Sequence, residues 1–228
     1  MTGGADAAAR AVESALDSAD AGVVAAAVEL AAATPADGHL RVDGDPLTAD
    51  RLATVADGGV RRAGGDPSGA TTVEPAGELA AGRPVRVALE PRVDGVAGPL
   101  SRTFVVDGRG GWERRAAVAV GMAHDAVRRV VEPGLPARRV VDEAIAELGA
   151  YGLAADGPVA RSVGSRVLDF STDDSLDAGD VFVLDPIATE TDRGRVRIGT
   201  CYTVTESGCR PLGSTPTSLS TGAYDSSE

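Results

Sequence analysis

Side chains that could act as bases or nucleophiles are scarce in this sequence. It contains two histidines, His39 and His124, and two cysteines, Cys201 and Cys209. His39 stands in a turn-like segment rich in Gly and Asp, and His124 falls on a long helix-forming run, so we expect a solvated or packing role for each. Cys201 has no histidine near it in the sequence to act as its base, which favours an inert, buried thiol over a nucleophile.

Acidic residues dominate the charge of the chain. There are 34 Asp and Glu residues against 22 basic residues, all of them Arg, and the formal net charge is −12. Such a surface is typical of a halophilic protein, because salt in the cytoplasm screens the repulsion between like charges. Replacement of Lys by Arg in a GC-rich genome is the alternative explanation of the composition. Nucleic-acid binding is disfavoured because it needs a basic face.

Neither a signal peptide nor a membrane span is indicated. The N-terminus lacks a basic region followed by an apolar stretch, and the apolar run at residues 22–33 contains Glu29 and is too short to cross a bilayer. The two cysteines fall in one predicted hairpin at positions that do not face each other. We therefore expect a cytoplasmic protein with reduced thiols.

The periodicity of apolar residues predicts an α+β fold. Helix-forming runs cover residues 5–18, 22–33, 49–63, 112–132 and 136–149, with Thr48 placed to cap the third. Alternating, strand-forming runs cover residues 71–75, 84–91, 100–106, 159–170, 180–186 and 195–206. Residues 37–46 are dense in Asp and Gly and predict a turn. A single domain is expected over residues 1–215, followed by a Ser/Thr-rich, disordered tail at residues 216–228.

Three stretches of the sequence resemble the pita-bread metallopeptidase family, which includes Xaa-Pro aminopeptidases, methionine aminopeptidases and creatinase-like proteins. They are VRVALEPRVDGVAGPLSRTFVVDG, LDAGDVFVLDPIATETDRGRVRIGTCYTVTESG and DGHLRVDGDPLTADRLATVADGGVRRAGG. The second is the most specific, because its DP, VRI and VTE-SG elements occur in the family's order and spacing. The resemblance implies a curved antiparallel sheet with helices on its outer face.

The resemblance also implies a site for two divalent ions, such as Mn or Co, held by two Asp, one His and two Glu. The positions of this chain that match those ligands are Ala88, Pro99, Gly164, Asp185 and Gly199. Asp185 alone could still ligate, and one carboxylate cannot hold a dinuclear centre. No metal ligands and no catalytic residues are therefore predicted. A metal-free, creatinase-like route is also disfavoured, since Ser171 near the expected second His cannot carry a proton at neutral pH.

Several charged residues remain as a possible residual cleft in this resemblance: Glu90, Arg92, Arg102, Asp185 and Arg197. The arginines either bind an anion or pair structurally with carboxylates beside the strands. Glu90 points to the same side of its strand as Ala88, about 7 Å along it. A relocated mononuclear site of Glu90, Asp94 and Asp185 is therefore an alternative. The glycine-rich segment at residues 108–111 lacks the Lys of a phosphate loop and is interpreted as a turn.

The resulting expectation is a non-catalytic homologue of Xaa-Pro peptidases without a cofactor. It would bind a peptide or a small molecule, or form a homodimer or a heterodimer with an active paralogue. The alternative is an active metal-dependent aminopeptidase or Xaa-Pro peptidase with substituted ligands and two divalent ions such as Mn or Co. Neither nucleic acid nor a membrane is an expected partner.

Overall fold

The structure, a computed structural model, describes residues 2–164, 166–191 and 193–224. Its helices are α1 (Thr2–Ala31), α2 (Ala49–Arg62), α3 (Trp112–Val130) and α4 (Arg138–Ala150), and a 3-10 turn covers Thr221–Tyr224. As predicted, Thr48 caps α2, and its Oγ1 accepts a hydrogen bond from the Arg51 amide at 3.2 Å. Within the described residues, no helix has the length and apolarity that a membrane crossing requires.

The strands are short and pair antiparallel. In the first half of the chain they are β1 (Thr34–Ala36), β2 (His39–Val42), β3 (Asp45–Pro46), β4 (Thr72–Glu74), β5 (Val85–Leu89), β6 (Arg92–Val93), β7 (Val96–Ala97) and β8 (Leu100–Phe104). In the second half they are β9 (Ala154–Ala155), β10 (Ala160–Val163), β11 (Val181–Leu184), β12 (Ile187–Glu190), β13 (Gly194–Arg197), β14 (Thr200–Thr205) and β15 (Gly208–Pro211). The larger sheets have the orders β4-β5-β8 and β10-β11-β14-β15, and a bridge between Ser101 and Gly199 joins them.

The first helix is continuous over Thr2–Ala31, so the prediction of two separate helices at residues 5–18 and 22–33 is wrong. Gly22 does not break it. A Cβ on Gly22 would lie 2.7 Å from Leu89 Cδ2, and a Cβ on Gly59 of α2 would lie 2.9 Å from the Gly22 Cα. The two glycines let α1 and α2 approach closely, and the tight packing of the two helices outweighs the weak helix propensity of glycine.

The buried apolar residues form two cores. Helices α1 and α2 contribute to the first, and α3 and α4 contribute to the second. Buried residues of α1 and α2 pack with Val85, Val87 and Leu89 of β5 in the first core. Buried residues of α3 and α4 pack with Phe182 of β11 and Tyr202 of β14 in the second. The helices therefore cover one face of the sheets, as the α+β prediction requires.

The opposite face of the strands is called the cleft face below. Successive side chains of a strand point to opposite faces, and directly paired residues share a face. Because the neighbours of Arg86 and Ala88 on β5 are in the first core, both residues point to the cleft face. Ser101 pairs with Ala88 across β5 and β8 and joins them there, together with Asp185 and Arg197.

Three local predictions differ from the structure. Residues 37–46 form strands β2 and β3 rather than a turn alone, with reverse turns at Asp37 (φ 52°) and Asp43 (φ 55°). The run at 195–206 is two strands, because the chain leaves β12 as its partner and joins β11 near Gly199. The run at 159–170 is a strand over Ala160–Val163 only, and Gly164 ends it with a φ of 95°.

The packed domain extends beyond residue 215, to Tyr224. The Tyr224 ring is buried and meets the Phe104 ring edge-on at a centroid distance of 5.1 Å. Its hydroxyl donates to the carbonyl of Pro216 at 2.7 Å or of Ser218 at 3.0 Å. The contacts of Tyr224 thus hold residues 216–224 against the domain, although the sequence predicted a disordered tail from residue 216. Residues 225–228 of that predicted tail lie outside the described residues.

Candidate ligand cleft

The strands bring most of the five family positions together on the cleft face. Ala88 pairs with Ser101, and Ser101 forms the bridge to Gly199. Asp185 directly follows β11, and its carboxylate accepts a hydrogen bond from the Ser101 hydroxyl at 2.6 Å. Pro99 lies next to this group, and its carbonyl accepts a hydrogen bond from the Cys201 thiol at 3.4 Å.

Gly164 does not join this group. Asp185 donates its amide to the carbonyl of Val159, just before β10, whereas Gly164 follows the other end of that strand. The alternate residues Arg161 and Val163 of β10 lie on the cleft face. Arg161 pairs with Val183 and forms an ion pair with Glu90 at 2.5 Å. Sequence reasoning missed Arg161. The signal that could have found it is strand register, since β10 must place alternate residues on the cleft face.

Asp185 is engaged by its neighbours through both carboxylate oxygens. Arg197 Nε lies 2.9 Å from Oδ1 and Arg197 Nη2 lies 2.5 Å from Oδ2, while Ser101 Oγ also binds Oδ1. Asp185 is 8% exposed. Such a two-pronged arginine–carboxylate contact is short and directional. A cation could reach this carboxylate only by displacing the guanidinium.

No side chain fits at position 199 in this arrangement. A Cβ there would lie 2.5 Å from Asp185 Oδ1 and 2.6 Å from Ser101 Oγ. These distances are well inside van der Waals contact. The space that a carboxylate at this position would need is therefore filled by the hydrogen-bonded group of Asp185 and Ser101.

Further guanidinium–carboxylate pairs extend along the same face. Arg86 pairs with Glu74 across β4 and β5, and Arg195 pairs with Asp156 at 2.7 Å. The Arg86 hydrogen bond lowers the pKa of Glu74; partial burial opposes that shift, and the charges of Arg195 and Arg197 support it. Burial would lower the pKa of Arg197, but the hydrogen bonds and charge of Asp185 raise it overall. Both shifts favour the ionised forms of Glu74 and Arg197.

Arg102 and Arg92, two residues of the predicted residual cleft, lie elsewhere. Arg102 is 2% exposed and points to the helix side of the sheet. It donates to the backbone carbonyls of Ser101, Gly199, Thr215 and Pro216 at 2.7, 2.5, 2.9 and 2.5 Å. Arg92 is exposed and donates to the carbonyl of Gly95 in its own hairpin at 2.9 Å. Both arginines hold backbone in place, and the residual cleft contains only Glu90, Asp185 and Arg197 of the expected set.

Two buried titratable residues near the cleft, His124 and Cys201, are held in neutral forms. His124 lies on the helix side, with Nε2 2.8 Å from the Ile198 carbonyl and Nδ1 3.0 Å from the Tyr202 hydroxyl. Burial lowers the pKa of His124 to about 4, against the smaller effect of the Ile198 carbonyl. Burial raises the pKa of the Cys201 thiol far above its ordinary value. His124 therefore lies away from the cleft face, and the Cys201 thiol stays protonated.

The described residues do not fit a dinuclear metal centre. Nowhere in residues 2–164, 166–191 and 193–224 do three or more His, Cys, Asp or Glu side chains gather closely enough to hold a metal ion. Glu90 and Asp185 are bound by arginines, and Asp94 lies in the β6–β7 turn with a φ of 50°. The alternative mononuclear site of these three carboxylates is therefore not assembled.

The architecture is the pita-bread fold, with helices on one face of antiparallel sheets and a cleft on the other. The sequence model of metallopeptidase family M24 matches residues 3–206, so the chain belongs to that family. No curated protein shows significant sequence similarity to it.

Solved structures of Xaa-Pro peptidases share this fold. X-Pro aminopeptidase from Thermotoga maritima MSB8 superposes with a TM-score of 0.80 at 14% identity, covering 93% of this chain and 62% of that one. The prolidase from Pyrococcus horikoshii OT3 has a TM-score of 0.80 at 19% identity, covering 94% and 64%. The prolidase from Pyrococcus furiosus has a TM-score of 0.78 at 20% identity, covering 92% and 64%. The chain thus spans less than two thirds of the length of each of these proteins.

Proposed function

We propose that this chain is a non-catalytic member of family M24 whose cleft binds a ligand without metal. In this proposal Asp185 is the one retained ligand position, and Ala88, Pro99 and Gly199 are lost ligands. The position of the lost imidazole is Gly164 by the spacing of the sequence motif, or Arg161 by the register of β10 on the cleft face. Guanidinium groups take over the charge-balancing role that cations have in a carboxylate site.

One observation carries the proposal: Arg197 and Ser101 bind the Asp185 carboxylate, and the space for a second carboxylate at position 199 is filled. Metal binding by Asp185 would cost the arginine contact and leave a half-buried guanidinium without its partner. Such an exchange is unfavourable unless several new ligands compensate for it together.

Metal uptake tests the proposal directly. Protein stripped with EDTA would be dialysed against Mn²⁺ or Co²⁺, analysed for bound metal, and assayed on Ala-Pro and Met-Ala peptides beside an active prolidase. We expect far less than one ion per chain and no hydrolysis, both in the wild type and in Asp185→Asn. Two ions per chain, lost in Asp185→Asn and accompanied by hydrolysis, would establish the alternative of an active peptidase with substituted ligands.

A role as a partner subunit is the second form of this proposal. A non-catalytic chain can still contribute a surface to a homodimer or to a heterodimer with an active paralogue. Light scattering of the purified protein measures self-association, and co-purification with a peptidase from an extract of the source cells would reveal the heterodimer. A monomer that binds a small molecule would favour the ligand-binding form.

A further inference from the structure

A small cavity of about 260 Å³ opens at the start of β5 and β13 and is rich in arginine. Its lining includes Arg83, Arg86, Arg193 and Arg195, with Pro75 and Pro84 as apolar walls. Arg86 and Arg195 point to the cleft face, so the cavity lies at the end of the row that continues to Arg197 and Asp185. Gly194, with a φ of 116°, begins β13 between two of the four arginines.

The charge of this cavity is opposite to that of the whole chain. Arg86 is neutralised by Glu74 and Arg195 by Asp156. Arg83 and Arg193 form no ion pair among the residues that the structure describes, so the four guanidiniums exceed their carboxylate partners by two. In a protein of net charge −12, such a local excess of positive charge attracts an anionic ligand.

The walls favour a compact oxyanion over a long polymer. Guanidinium groups bind phosphate and carboxylate oxygens through parallel N–H donors. Pro75 and Pro84 line the cavity with rigid apolar side chains, and the volume suits a phosphate or a small dicarboxylate. An extended nucleic acid would be repelled by a chain whose net charge is −12.

We propose that this arginine cavity binds a small dianion, such as the phosphate group or paired carboxylates of a small molecule. The inference deepens the proposed function by naming the chemical class of its ligand. Arg83 and Arg193, which have no ion pair among the described residues, supply the positive charge for the anion. Arg86 and Arg195 add further N–H donors while they stay paired with Glu74 and Asp156. The anion lies at the end of the cleft face and leaves the pair of Asp185 and Arg197 intact.

Calorimetric titration of metal-free protein with sodium phosphate and, separately, with sodium malonate tests the site at low chloride concentration. The probe variant is Arg83→Gln/Arg193→Gln, which removes both unpaired guanidiniums without breaking a described ion pair. The matched control is Arg114→Gln/Arg129→Gln. Those two exposed arginines of α3 also have no ion pair among the described residues, and their removal changes the net charge equally.

We expect at least a tenfold loss of affinity for the tighter-binding probe in the cavity variant and less than a twofold change in the control. Preference for phosphate or malonate then identifies the oxyanion. Absence of binding to the wild type, or an equal loss in both variants, would overturn the inference. Its failure is distinct from failure of the proposed function, which would appear as metal uptake and peptide hydrolysis.

Discussion

The Arg197 guanidinium donates two hydrogen bonds to the Asp185 carboxylate, from Nε at 2.9 Å and from Nη2 at 2.5 Å. The backbone of Gly199 passes directly beside this pair. The pair connects β13 to the end of β11, where the two halves of the cleft face meet. It is both the most enclosed ion pair on that face and the feature that leaves no room for a side chain at Gly199.

Replacement of Gly199 by alanine tests how closely this group is packed. A Cβ at 2.5 Å from Asp185 Oδ1 forces the carboxylate or the strand to move. We expect Gly199→Ala to lower the free energy of unfolding by about 1–3 kcal/mol in urea titrations. Gly121→Ala is the control, because no atom lies within 4 Å of that Cβ on α3. It should stabilise the protein by up to about 1 kcal/mol. Equal effects at both positions would contradict the packing.

Removal of Arg197 should leave the buried Asp185 carboxylate with the Ser101 hydroxyl as its side-chain hydrogen-bond partner among the described residues. We expect Arg197→Gln to cost about 3 kcal/mol of unfolding free energy, because breaking a buried pair strands one charge. Arg195→Gln, on the same strand and face but in a more exposed pair, should cost less than about 1 kcal/mol. Adding Asp185→Asn to Arg197→Gln should recover part of the loss. Additive losses in that double variant would show that the pair is not coupled.

Acid should destabilise the protein through His124. Its pKa is lowered from 6.5 to about 4 in the folded state, so the unfolded chain binds a proton first as the pH falls. The contribution of neutral His124 to the free energy of unfolding is fully present above pH 6.5. It is lost between pH 6.5 and pH 4 and amounts to about 3 kcal/mol in total. His124→Gln, which keeps a donor and an acceptor, should flatten this part of the stability profile. His39→Gln should not, and a parallel change in both variants would contradict the assignment.

Tyr224 should anchor the C-terminal segment to the sheet. Tyr224→Ala removes the ring that packs on Phe104 and should cost about 3 kcal/mol or more. Tyr224→Phe removes only the hydroxyl that donates to Pro216 or Ser218 and should cost about 1 kcal/mol. Thermal unfolding would measure both. If Tyr224→Ala unfolds at the wild-type temperature, residues 216–224 do not contribute to the packed domain.

Salt should stabilise this protein. With a net charge of −12, the folded chain repels itself most strongly at about 0.01 M salt, where the screening length is about 30 Å. We expect the unfolding temperature to rise steadily as KCl is increased. A flat or falling curve would favour the genomic explanation of the arginine-rich, lysine-free composition over adaptation to a salty cytoplasm.

The pattern of the sequence was sufficient to predict most helices and strands. It was not sufficient to predict on which face of the sheet each arginine side chain lies. Thr48, the strand at β5 and the helix at α3 follow from local signals, and the family motifs led to the fold. Local signals could not show that Arg102 and Arg161 lie on opposite faces. Each lies on a strand of the sheet, and only the register between distant strands sends one to the helix side and the other to the cleft.

The same limit explains the error in the first helix and the distance of Gly164 from the other family positions. Gly22 is a helix breaker by propensity, and only its contact with Gly59 makes it a crossing point inside α1. Gly164 was matched by motif spacing, whereas the distance along β10 separates it from Asp185. In both cases the deciding information is a contact between residues far apart in the sequence.

Arg102 has a consequence for the order of events during synthesis. Its guanidinium is made near the middle of the chain, yet its backbone acceptors include Gly199, Thr215 and Pro216. While the ribosome is still adding those residues, the guanidinium must stay hydrated and the helix side of β8 must stay open. The hydrogen-bonded surroundings of Arg102 on the helix side of β8 are therefore completed only after the last part of the chain has been made.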